Sequence, residues 1–181
     1  MPDIHPELQS LRCEFEALRA YEAIRQRIYS YARALDRLDG PLLADQFWPD
    51  ARIDYGSIWQ GPAAGFIAVA LRFQGSMRDT HHLVGQSIIQ LDPNARNACA
   101  ESYVHAAHVI EHETGRQQLV VGARYLDRFE RRGAEWRILE RSEVLDWGRQ
   151  LPITESWFEQ MQDMPKATRD RTDRSYRVLQ G

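Results

Sequence analysis

From His81 to Trp147 the sequence follows a period of two, broken only by the turn-forming stretches DPNARN, HETGR and RRGAE. Alternation puts successive side chains on opposite faces of an extended chain, so residues 81–91, 98–112, 117–131 and 135–147 read as four strands. Connections this short join antiparallel neighbours, because a parallel crossover needs a dozen residues or more. Before His81 the period changes. Phe15, Leu18, Tyr21, Ile24, Ile28, Tyr31 and Leu35 recur three or four apart, which predicts one long helix over 14–38 with these side chains on its buried face. Asp39 can cap a second short helix running through Phe47, with Pro41 near its start where no amide hydrogen is needed. Residues 51–58 suit a short strand. Gly61-Pro62 opens a third helix over 63–76, with Phe66, Ile67, Ala70, Leu71 and Phe73 for burial. Helices first and hairpin-linked strands afterwards predict an α+β fold, an antiparallel sheet covered by helices on one face. A terminal helix over 154–162 and a mixed-charge tail over 166–177, wrapped on the surface or mobile, complete the expectation.

At 181 residues, with no repeat or linker, the chain is expected to form a single domain over 1–181, its core about 14–147 and a C-terminal helix and tail over 148–181. Lys and Arg number 23 against 26 for Asp and Glu, a formal charge of -3, so no global field would gather nucleic acid or an anionic membrane. Cys13 and Cys99 are too few for a disulfide scaffold. The first residues have neither a basic start nor an apolar run, and the apolar stretch around 63–71 is too short to span a bilayer. A soluble, cytoplasmic protein follows as the expectation.

The stretch YARALDRLDG, Tyr31 to Gly40, places two acids where an apolar stripe should continue. Asp39 fits a helix cap. Asp36 either ends the helix in solvent or points inward, where a carboxylate behind an imidazole would fix the tautomer of a general base. His81 and His82 are adjacent in a strand, so only one can enter a given pocket, and His82 shares its face with Val84, Gln86 and Ile88. No H-x-x-x-H or C-x-x-C pair seeds a metal site, and His105 and His108, three apart, fall on opposite strand faces. In the last strand Leu139, Arg141, Glu143, Leu145 and Trp147 share one face, and Trp136, Ile138, Glu140, Ser142 and Val144 the other. Both faces are half apolar, so parity does not assign the interior.

Taken in order, Tyr31-x-x-x-x-Asp36-x-x-Asp39, ARIDYG, THHLVGQ and GARYLDRFERRGAEWRILERS resemble the SnoaL-like branch of the nuclear transport factor 2-like superfamily, over roughly Phe15 to Trp147. The similarity is to its lyases: scytalone dehydratase, hexachlorocyclohexane dehydrochlorinase and bile-acid 7α-dehydratase. The resemblance implies a cone-shaped, cystatin-like α+β barrel, its curved antiparallel sheet wrapped around the long N-terminal helix. It implies a buried Asp–His pair with neither metal nor organic cofactor. By position the acid falls on Asp36, the histidine on His82, the strand arginine on Arg141, and two tyrosines on Tyr31 and Tyr55. Arg141 and Glu143 would face inward, the arginine neutralised by Glu143 or by the Asp36–His82 pair. Tyr103, His105 and Tyr125 would line the pocket by register. Phe66, Phe73, Trp59 and Trp147 would shape it. Leu35 and Tyr125 stand where scytalone dehydratase has a tyrosine and an asparagine, which implies a different substrate.

The expected activity is a cofactor-independent, dehydratase-like elimination on a hydroxylated aromatic or alicyclic molecule. His82 takes a proton from carbon while Tyr55, Tyr31 and Arg141 stabilise the developing charge. The same groups would serve a carbon–carbon lyase releasing an aldehyde from an aryl diol, or a polyketide-type isomerase or cyclase. A noncatalytic ligand-binding or dimerisation module is the alternative from another class. The resemblance also implies a homodimer or homotrimer joined through sheet surfaces, with a small molecule as the other partner.

Overall fold

The computed structural model describes residues 4–153 and 160–179. Helix α1 runs from Ile4 to Asp36, ten residues earlier than the periodicity predicts. It buries Ala20, Ile24, Ile28, Tyr31 and Leu35, the isoleucines and the leucine each worth about 1.5–3 kcal/mol of transfer free energy. Phe15 and Leu18, expected on that same face, are instead 61% and 66% exposed. The reason is geometric: steps of three from Phe15 to Ile24 rotate the apolar line steadily around a helix of 3.6 residues per turn.

The helix ends in a tight cap. Leu38 sits in the left-handed region at φ 50°, where glycine is usual, and the Asp39 amide reaches back to the Ala34 carbonyl at 2.9 Å. Asp39 caps helix α2 (Gly40–Asp45), accepting from the Leu42 amide at 3.1 Å, as its spacing predicts. The second helix is shorter than expected, because Phe47 already belongs to strand β1 (Phe47–Asp54). After a turn in which Gly56 takes a positive φ of 58° comes β2 (Gln60–Pro62), which the sequence did not signal. Helix α3 (Ala63–Ser76) buries Ala63, Phe66, Ala70 and Gln74 at helical spacing.

Four long strands follow: β3 (Asp79–Leu91), β4 (Asn97–Ile110), β5 (Gln117–Arg132) and β6 (Glu135–Pro152). The sheet order is β2-β1-β6-β5-β4-β3. It is mixed, not wholly antiparallel: β6 returns beside β1 in the same direction, pairing Ile53 with Arg141. Each hairpin reverses the chain, and three hairpins after β3 decide that direction. The curved sheet stays open, with β2 and β3 as edges, so the expected barrel is unclosed.

Three β-bulges set which side chains face α1, because one extra residue switches the facing of all that follow. A shift between Val84 and Ser87 puts Thr80, His82 and Val84, then Ser87, Ile89 and Leu91, on the inner face. Gln86 and Ile88, expected beside His82, are therefore exposed. In β6 a bulge at Leu139 lets Trp136, Ile138 and Arg141 all be buried, which no single parity allows. A second, at Asp146, turns Trp147 to the outer face although Leu145 points inward.

The helix expected over 154–162 lies outside the described residues across 154–159, and none continues beyond Gln160. The tail ends in α4 (Arg174–Leu179) and docks against the C-terminal end of α1. Tyr176 donates to Asp39 at 2.6 Å, Arg171 meets the same carboxylate at 3.1 Å, and Arg33 lies over the Tyr176 ring at 4.7 Å. Asp39 thus ties down the tail as well as capping α2. No described helix is long and apolar enough to cross a membrane.

Candidate active site

Asp36, the last residue of α1, grips β3 at two points. Its Oδ2 accepts the His82 backbone amide at 3.1 Å, and its Oδ1 lies 2.7 Å from His82 Nδ1. The carboxylate accepts a hydrogen bond from Nδ1–H, which fixes the proton on Nδ1 and leaves Nε2 as the basic nitrogen of the neutral ring. The two side chains are 4% and 13% exposed for His82 and Asp36, so bulk water barely competes for this bond. His81 points out of the sheet.

His82 borders a cavity of about 190 Å³ between the inner sheet face, α1 and α3. Its polar groups are Tyr31, Tyr55, Tyr125, His82, His108, Glu143 and Gln74, and Phe66, Phe73 and Met77 are among the apolar ones. Tyr31 and Tyr55 share a hydrogen bond of 2.8 Å between their hydroxyls. Tyr31 meets Tyr125 edge-on at 5.4 Å, and Tyr55 packs on Phe66 at 4.8 Å. Burial pushes the Tyr31 phenol up to about 12 and those of Tyr55 and Tyr125 well above the ordinary value, so all three are neutral donors at neutral pH. Burial also raises the Glu143 carboxyl, against the opposing pull of Arg141 and then His82.

Arg141 does not border this cavity; it lies behind the tyrosines. Its partner is Asp127, which nothing in the local sequence favoured over Glu143 or the Asp36–His82 pair. Nε and Nη2 donate to the two Asp127 oxygens at 2.6 and 2.7 Å, with both side chains 0% exposed. The guanidinium carbon lies 4.0 Å from the Tyr31 ring centre and 4.3 Å from that of Tyr125, which adds cation–π attraction to the ion pair. Its positive charge also favours the ionised form of Tyr31 and Tyr55, opposing their desolvation.

Four expected pocket residues lie elsewhere. Tyr103, 40% exposed, and His105 stand on the outer face of β4, and Trp147 packs against the His105 ring at 5.7 Å over Gly122. Trp59 covers Gly65 and does not border the cavity. The inner face of β4 is Ala98, Ala100, Ser102, Val104, Ala106 and His108. That run of small residues was the available signal, and it ends on His108, which the sequence raised only as an unsuitable metal ligand. His108 Nδ1 lies 2.8 Å from the Thr80 hydroxyl, and its ring stands 5.4 Å from that of His82. Gln74 was missed as well. It extends the buried stripe of α3 to the cavity wall, and its Oε1 is buried with no hydrogen-bond partner. Among the described residues no three His, Cys, Asp or Glu side chains converge as a metal would require.

Together these groups can remove a proton from carbon and meet the resulting anion in a site sheltered from water. A base with a fixed tautomer faces neutral phenol donors, with a carboxyl that holds its proton to higher pH than usual.

Comparison with known proteins agrees with this architecture. The SnoaL-like domain matches residues 16–142. A type 2 hexachlorocyclohexane dehydrochlorinase superposes with a TM-score of 0.70 at 18% identity, over 80% of this chain and 99% of its own. A Kribbella flavida protein, Kfla4162, gives 0.67 at 18%, over 74% and 95%. A Novosphingobium aromaticivorans protein described as a scytalone dehydratase gives 0.65 at 20%, over 77% and 97%. No curated protein matches the chain in sequence.

Proposed function

The chain belongs to the SnoaL-like domain family, and from that premise we propose that it is a lyase that eliminates water from a small hydroxylated cyclic molecule. The observation that carries the reading is the Asp36–His82 hydrogen bond at 2.7 Å, with the imidazole bordering a sheltered cavity. Similar folds carried by a dehydrochlorinase and by a protein described as a dehydratase support elimination as the reaction class.

In this mechanism His82 Nε2 takes a proton from carbon next to a carbonyl or similar activating group. The electron pair moves toward the carbonyl oxygen, where the hydroxyls of Tyr55 and Tyr31 supply hydrogen bonds that strengthen as charge develops. Collapse of the enolate forms the carbon–carbon double bond and breaks the carbon–oxygen bond to the leaving hydroxyl. Glu143 gives that oxygen a proton, and water departs. Arg141, held by Asp127, biases the tyrosines from behind. Asp36 compensates the imidazolium that forms. Side chains carry every proton in this sequence.

Cavity size narrows the substrate. An engineered apolar cavity of about 150 Å³ takes benzene, so about 190 Å³ suits one substituted six-membered ring or a compact bicycle, not a sterol.

The test is a screen of hydroxylated aromatic and alicyclic ketones and alcohols, reading conjugation by absorbance and products by mass spectrometry. Asp36→Asn and His82→Ala are run beside the wild type. General-base catalysis supplies roughly a hundred- to ten-thousandfold, so a loss below about tenfold in either variant rejects this mechanism.

A further inference from the structure

The N-terminal half of α1 carries an apolar stripe that the core does not use. His5 to Glu16 are all exposed, and Leu8, Leu11, Phe15 and Leu18 stand 52%, 60%, 61% and 66% open to solvent. At 3.6 residues per turn this stripe lies about 200° around the helix from the core face of Ala20, Ile24, Ile28, Tyr31 and Leu35. It therefore does not extend this chain's own core. Its spacings of three, four and three are those of alternating a and d positions in a heptad, with Leu8 and Phe15 at a and Leu11 and Leu18 at d. The next positions on the same line are Glu22 and Arg25, so the apolar seam stops where the helix meets the sheet.

The flanking charges specify what covers the stripe. Position e holds Arg12 and Arg19, and position g holds Glu7 and Glu14. Two copies of this helix side by side, parallel and in register, set Glu7 of one against Arg12 of the other and Glu14 against Arg19, on both sides of the seam. Antiparallel copies would set glutamate against glutamate and arginine against arginine, which repels. The arginine at 19 also lies over the Phe15 ring, 5.9 Å from guanidinium carbon to ring centre, so it flanks the seam it would close. A helical overhang of about 24 Å with a large exposed apolar line is marginal by itself in water. The core-facing stripe stays on the far side, so a partner helix can lie along this face without displacing the sheet.

From these observations we propose that residues 5–19 form a parallel two-stranded coiled coil with the same segment of a second copy of this chain. The surface lies away from the Asp36–His82 cavity and does not depend on any reading of that site. Two heptads bury less than a standard interface, so the association is weak and the mass rises with protein concentration.

Two measurements on the full chain test it. The first uses Leu11→Cys in a Cys13→Ser, Cys99→Ser background, oxidised and read by intact mass. Parallel register puts the two residues 11 together and gives a covalent dimer. Antiparallel packing sets residue 11 against residue 15, so the dimer then needs Leu11→Cys with Phe15→Cys, and that outcome overturns the proposal. The second uses sedimentation velocity on Glu7→Arg/Glu14→Arg and on Arg12→Glu/Arg19→Glu. Each variant alone should associate at least about tenfold more weakly than wild type, and an equimolar mixture should recover the wild-type mass through mixed pairs. Thermal unfolding of the core should be unchanged in both, because these residues touch none of it. A wild-type chain that stays monomeric, or a mass indifferent to both sets of reversals, refutes the pairing.

Discussion

His108 ties stability to pH in a way that can be calculated. It is 7% exposed, hydrogen-bonded at Nδ1 to Thr80, and close to the His82 ring. Burial first, then the neighbouring His82, push it down to about 4, with Arg169 adding to the shift and Asp36 opposing it. In the unfolded chain the same ring titrates near 6.5. Between those values the unfolded state binds a proton that the folded state refuses. The contribution is therefore complete above about pH 6.5 and is lost progressively as pH falls toward 4. The separation corresponds to about 3 kcal/mol, a sizeable part of a typical folding free energy. Urea denaturation at several pH values between 4.5 and 7.5 should show it for wild type against His108→Gln, which retains a hydrogen-bonding group for Thr80. The stability advantage of wild type over the variant should shrink by most of that amount across the range. A difference that stays constant with pH refutes the buried neutral histidine.

Removing one member of the Arg141–Asp127 pair leaves a buried charge unmatched, so Asp127→Ala should lower unfolding free energy by about 3–5 kcal/mol, and Arg141→Met added to it should recover much of the loss. Gln74→Leu should stabilise the protein by about 1 kcal/mol in thermal or urea unfolding, because it deletes an unsatisfied buried acceptor. Substituting His105 or Trp147 with Ala, on the outer sheet face, should leave kcat/KM within about twofold of wild type, whereas His108→Ala should not.

The long elements were legible because their periods are regular: α3 and the four hairpin strands stand close to where spacing puts them, and α1 was found although it begins ten residues earlier. The Asp36–His82 pairing was legible through the family resemblance, helped by the rule that neighbouring strand residues face opposite ways. Parity failed wherever a bulge intervened. The extra residue at Leu139 buries Ile138 and Arg141 together, and the one at Asp146 turns Trp147 outward. Tyr103 and His105 were placed inward by register with the family, yet the inner face of β4 is Ala98, Ala100, Ser102, Val104, Ala106 and His108, and strict alternation sends residues 103 and 105 outward. The Arg141 partner was hidden for another reason: Asp127 is a cross-strand neighbour of Arg141, and strand pairing is not written in the local sequence. Phe15 and Leu18 read as core because their spacing is helical, and only the assembled helix shows that their side faces away.

Deuterium placed on the carbon next to the activating group of a turned-over substrate asks the central question directly. If His82 removes that proton, mass spectrometry of the wild-type product will show the label lost to solvent. A product that forms at full rate and keeps its deuterium would mean that no carbon-bound proton passes through His82.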